Sequence, residues 1–198
     1  MEKIMLKLKS YIINLKGVTM LSKSKYYFMV ALLCLLVQMG SSKAHAQTNL
    51  VSNGGFEQQY GVGWNFESSS AWETGQGCNG QSLACGLLYP TGSQDAVMSQ
   101  ILYISPNATL QSLIDFNLKV QNAQPGDKLL VQLQTLSGAV MDEQQIFTST
   151  TYPCTDLSPA SIANTISKYR GQYVKLVFTG KTSGYSGLQY RIDKVRVY

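Results

Sequence analysis

Residues Tyr190 to Tyr198 close the chain and read YRIDKVRVY. Taken as a regular strand, they place Asp193, Val195 and Val197 on one face and Tyr190, Ile192, Lys194 and Arg196 on the other. The valines mark the first face as buried, so Asp193 enters the interior with them. A buried carboxylate needs a cation or strong donors. The fold and a metal expectation both start from this strand.

Further strand patterns precede it. Ile114, Phe116, Leu118 and Val120 alternate with Asp115, Asn117 and Lys119. In LLVQLQTLSG, Leu130, Gln132 and Gln134 alternate with Val131, Leu133 and Thr135. AVMSQILYIS and YVKLVFTG are also strand-like, and Pro125-Gly126-Asp127 punctuates two alternating runs as a hairpin turn does. Only Ser158 to Tyr169 has helical leanings, with Ser158 as cap and Pro159 in the first position. The period of two predicts an all-β chain of two packed antiparallel layers.

The N-terminus has a different character. Six lysines precede the apolar run FMVALLCLLV, and Ala44 and Ala46 follow in a small-residue cleavage pattern. This predicts a signal peptide over residues 1–46, with Met20 as an alternative start, secretion, and no membrane span in the mature protein. The mature part, residues 47–198, is a single domain. Residues 1–46 hold seven lysines and one acid, which leaves nine bases and ten acids from totals of 16 and 11. The basic balance belongs to the leader, so no nucleic-acid partner is expected.

His45 also leaves with the leader, which excludes Ser-His-Asp and Cys-His catalysis from the mature chain. Glu67, Glu73, Asp95, Asp115, Asp142 and Glu143 remain as acids, but none shows a catalytic pairing in sequence, and no enzyme activity is expected. Cys78, Cys85 and Cys154 make one disulfide and a free thiol in an oxidising compartment. Cys78 with Cys85 is the first choice, across CNGQSLAC, with Cys154 as the other partner for either. The unpaired thiol offers a route to a disulfide-linked dimer. Trp64 is expected in the core. Trp72, Tyr89 and Tyr185 lie in turn-rich surroundings and are the candidate ligand platform, with Tyr60 nearby. Tyr103, Tyr173 and Tyr190 lie in strand runs and are expected to pack. Asn107-Ala108-Thr109 is a formal glycosylation sequon.

The ends of the mature chain resemble a known architecture. NLVSNGGFE followed by Gly63-Trp64, then ISPNATLQSLIDFNLKV, SKYRGQYVKLVFTG and LQYRIDKVRVY, are similar in order and spacing to secreted bacterial domains of the galactose-binding-like jelly-roll type. These include carbohydrate-binding modules and MAM-like accessory domains. The resemblance implies a jelly-roll sandwich with adjacent first and last strands. It implies a structural calcium held by Glu57 and Asp193, with loop carbonyls completing the oxygen set. It also implies a non-catalytic binding role, with glycan the leading ligand class and a cell-surface protein the alternative.

Overall fold

The computed structural model describes residues 49–75, 77–78, 83–106, 114–147, 152–159, 162, 166–184 and 187–198. They fall within one compact unit, Gln47–Tyr198. The predicted leader, Tyr185 and the sequon at Asn107 lie outside the described residues.

The described residues form ten strands in chain order: β1 (Asn65–Ser68), β2 (Ser70–Thr74), β3 (Ala84–Leu88), β4 (Ala96–Tyr103), β5 (Ile114–Gln121), β6 (Lys128–Gln134), β7 (Val140–Phe147), β8 (Tyr152–Leu157), β9 (Tyr173–Lys181) and β10 (Gln189–Val197). They form two five-stranded sheets, β1-β4-β9-β6-β7 (sheet I) and β2-β3-β10-β5-β8 (sheet II). All pairings are antiparallel, as the alternation predicts, and the two sheets are consistent with the jelly-roll sandwich that the resemblance implies. Within the expected helical segment, the described residues include a 3-10 turn at Ser167–Tyr169.

Alternate residues meet between the sheets. Sheet I contributes Met98, Leu102, Leu129, Val131, Leu133, Leu176 and Phe178 to the core, and sheet II contributes Leu88, Phe116, Leu118, Tyr190 and Ile192. Trp64 is buried as expected, with its ring 5.1 Å from Phe56 and 6.1 Å from Phe178. Gly86 lies where the sheets approach: a Cβ there would stand 2.6 Å from Met98 Sδ.

The closing strand departs from the simple alternation. Asp193 pairs with Asn117, whereas Arg196 pairs with Asp115, so β10 spends one extra residue between them. Lys194, at φ 50°, sits in this bulge. A bulge of this kind reverses the phase of the strand. Tyr190 and Ile192 before it, and Val195 and Val197 after it, therefore all face the core. Asp193 points to the opposite side of sheet II with Arg191. The expectation that Asp193 shares a face with the valines is corrected by this single inserted residue.

The first segment docks beside the end of β10, as the resemblance implies. Leu50 N–H donates to Val197 O (2.9 Å) and Val195 N–H to Gly54 O (2.9 Å). Asn49 Oδ1 accepts from Val197 N–H (2.9 Å). The approach at Gly54 is close enough that a Cβ would fall 2.0 Å from Val195 O.

Candidate functional site

Two outward faces carry polar residues that are nonetheless buried. On sheet II the pairings set Glu73 opposite Cys85, Asp193 opposite Asn117, and Asn117 opposite Asp156. Ile192 pairs with Gly86, which brings Asp193 beside Cys85. One row thus crosses all five strands of the sheet. Arg191, buried, lies diagonal to it and donates from Nε to Glu73 (2.8 Å) and from Nη1 to Gln121.

Asp193 is fully buried, and its oxygens accept from the N–H groups of Lys194 (2.7 Å) and Cys78 (3.4 Å). Glu57 is exposed, and its Oε1 accepts from Leu83 N–H (3.1 Å). Calcium takes six to eight oxygens. Among the described residues no group of three or more His, Cys, Asp or Glu is arranged to hold a metal. Both carboxylates thus accept from backbone N–H groups. Asn117 Oδ1, in the same row, is buried without a hydrogen-bond partner among the described residues.

The disulfide joins Cys78 to Cys154, with Cα atoms 5.2 Å apart. The first-choice pairing of Cys78 with Cys85 is thereby corrected, and the reason is local. Cys85 belongs to β3, and its Sγ lies 3.9 Å from Glu73 Oε2 on the neighbouring strand. Cys78 is instead held over β10 by its bond to Asp193, within reach of β8. Cys85 is the free thiol and is buried. Its burial, then the charge of Glu73, push its pKa up to about 12. Such a thiol is poorly placed to bridge two chains.

Of the expected aromatic platform, Trp72 and Tyr89 are among the described residues and Tyr185 is not. Trp72 pairs with Gly86 on the inner side of sheet II, donates from Nε1 to Phe56 O (2.8 Å), and is covered by the tilted ring of Tyr60 at 5.7 Å. Tyr89 is exposed beyond the end of β3.

The outward face of sheet I is different. Its rows read Asn65–Ser99–Val177–Gln132–Glu143 and Glu67–Val97–Thr179–Leu130–Gln145. Ser99, Gln132 and Thr179 face away from the core yet expose only 4%, 7% and 7% of their surface. They floor a cleft of about 280 Å3 whose lining also includes Glu67, Asp95, Lys175 and Lys181. Polar side chains form a ladder across it: Gln134 Nε2 donates to Gln132 Oε1 (2.8 Å), and Gln132 Nε2 donates to Glu143 Oε2 (2.5 Å). Gln145 Nε2 donates to the other oxygen of Glu143 (3.0 Å). Lys181 pairs with Asp95 at 2.6 Å. A second hollow of about 680 Å3 adjoins the first through Ser99 and Lys175 and is lined further by Trp64, Gln100, Ile101 and Leu136.

Each candidate catalytic acid is engaged by a neighbour. Glu73 holds Arg191, Glu67 accepts from Asn65, Asp95 holds Lys181, Asp115 holds Arg196 at 2.6 Å, and Glu143 accepts from two glutamines. Asp142 Oδ1 caps the next backbone N–H, that of Glu143 (2.8 Å).

No family model matches the chain, and no curated protein does. Solved structures with the same architecture include TmCBM61 in complex with β-1,4-galactotriose, at TM-score 0.51 and 12% identity, covering 76% of this chain and 98% of that one. Arabinose-bound MgGH51 α-L-arabinofuranosidase aligns at TM-score 0.54 and 16% identity over 77% of this chain. The chain spans about a quarter (26%) of that enzyme's length. Family 16 Carbohydrate Binding Module-2 gives TM-score 0.47 and 14% identity, over 76% of this chain and 99% of that one. At these identities the likeness is one of fold alone: a two-sheet β-sandwich. No described helix is long and apolar enough to cross a membrane.

Proposed function

We propose that the protein is a secreted, non-catalytic carbohydrate-binding module whose ligand lies on the outward face of sheet I. One observation carries the reading: buried Ser99, Gln132 and Thr179 floor an open cleft on a face turned away from the core, and Gln132 is linked to Gln134 and Glu143. Buried polar groups demand partners, and such a floor suits a ligand rich in hydroxyls. The cleft lining holds two acids, Glu67 and Asp95, and two lysines, Lys175 and Lys181, so its charges balance. That favours an uncharged ligand. Secretion after cleavage at Ala46 belongs to the same reading and rests on the leader sequence. The engaged state of the acids supports a binding role over hydrolysis.

Calorimetric titration of the purified protein with a panel of neutral glycans tests this. Gln132→Ala removes the central rung of the ladder and should weaken binding roughly three- to tenfold, the effect of one neutral hydrogen bond. If no glycan binds, the reading is wrong and a protein ligand on the cell surface takes its place. Turnover of any glycan by the wild type, lost in Glu67→Gln, would make the chain an enzyme.

A further inference from the structure

The same face carries a feature that the sequence reading assigned to packing. Tyr103 and Tyr173 pair across β4 and β9, with ring centroids 4.9 Å apart and planes inclined by 43°. They are exposed by 46% and 60%. Residue parity puts Tyr103 on the face of Ser99 and Ile101, and Tyr173 on the face of Lys175 and Val177. The tyrosine pair therefore stands at one end of the polar cleft, with Ile101 and Lys175 as the intervening row. Ile101 and Leu136 there are also more than half exposed, at 57% and 53%.

Resting on the glycan reading of this face, we propose that Tyr103 and Tyr173 are the stacking platform of a linear site. Its ligand is an uncharged oligosaccharide chain lying along β4 and β9. From Tyr173 to Lys181 is eight residues of strand, about 26 Å at the usual rise. The two adjoining hollows share Ser99 and Lys175 on this face, and the row Ile101–Lys175 separates them from the tyrosines. Aromatic rings offer a broad apolar face with a hydroxyl at the edge, matching the C–H face and hydroxyl rim of a pyranose. The polar ladder then binds hydroxyls further along. An anionic polymer is disfavoured by the paired charges, since Lys181 already holds Asp95.

The test is a chain-length series, from monosaccharide to hexasaccharide, of a glycan that the wild-type protein binds. Affinity should rise with length and then level off. Tyr173→Ala and Tyr103→Ala should each weaken hexasaccharide binding about fivefold, in the range of one aromatic contact. Tyr173→Phe should keep near-wild-type affinity. In the wild type, bound hexasaccharide should protect Tyr103 and Tyr173 from nitration by tetranitromethane, read by mass spectrometry. That readout needs no variant to fold. Affinity independent of chain length, with both tyrosines nitrated in the complex, overturns the linear site; sensitivity to Gln132→Ala would then leave the cleft reading standing. Absence of binding to every neutral glycan overturns both.

Discussion

Replacing Cys154 by alanine should destabilise the protein substantially, because the bridge it forms closes a long loop. Cys78 and Cys154 are 76 residues apart. In the chain-entropy treatment a loop of that length restricts the unfolded chain by ~4.5 kcal/mol, against ~2.3 kcal/mol for the short loop from Cys78 to Cys85. For a domain of ~150 residues each kcal/mol moves the melting temperature by about 2–4 °C, so a fall of roughly 10–15 °C is expected. Cys85→Ala removes only a buried thiol and should cost about 1 kcal/mol. Thermal melts of both variants, with a non-reducing proteolytic digest of the wild type, decide the matter. A Cys154→Ala melt within about 3 °C of wild type, or a peptide joining Cys78 to Cys85, would refute the reasoning.

Three further outcomes are expected. The Cys85 pKa is raised from 9.0 to about 12 in the folded protein. The folded state therefore holds its proton longer than the unfolded chain, and stability falls as pH rises from 9 towards 12. Cys85→Ala should flatten this decline in melts from pH 8 to pH 11, and the native thiol should resist disulfide reagents at pH 8. An undiminished decline in the variant would remove Cys85 as its cause. Calcium added to chelator-treated protein should leave the melting temperature unchanged, because Glu57 and Asp193 are turned to N–H donors. A calcium-dependent rise that disappears in Asp193→Asn would restore the metal. Gly86→Ala should cost about 1–3 kcal/mol by overpacking against Met98 and Phe56, read by denaturant unfolding; an unchanged midpoint would mean that the sheets separate easily there.

The sheet faces were readable where polar and apolar residues alternate without interruption. Leu130, Gln132 and Gln134 turn out and Val131 and Leu133 turn in, as their spacing says. β2, β3 and β8 lack that signal. β3 reads ACGLL and has both faces mostly covered, so alternation is absent and CNGQSLAC looks like a loop. The cysteine pairing was missed for the same reason, since a strand residue was taken for the end of a turn. Trp72 looked exposed among small polar residues, but its indole N–H is satisfied by Phe56 O. For the tyrosines a usable signal existed. Tyr173 shares its phase with Lys175 and Lys181, which marks an outward face. Tyr103 could be placed beside it only through the register of β4 on β9, a tertiary fact that neither segment carries alone.

The inserted residue at Lys194 has a consequence for how relatives of this chain are to be compared. A single-residue gap is ordinarily treated as a small event at a strand end. Here the bulge keeps inside and outside in place despite the extra residue. A homologue lacking Lys194 would form a regular strand, with the position of Asp193 still outward and those of Ile192, Val195 and Val197 still inward. A homologue that kept the residue without the bulge would turn the carboxylate to the side of the core valines. Alignments that slide the gap past Asp193 or Val195 will therefore misassign which residues build the interior.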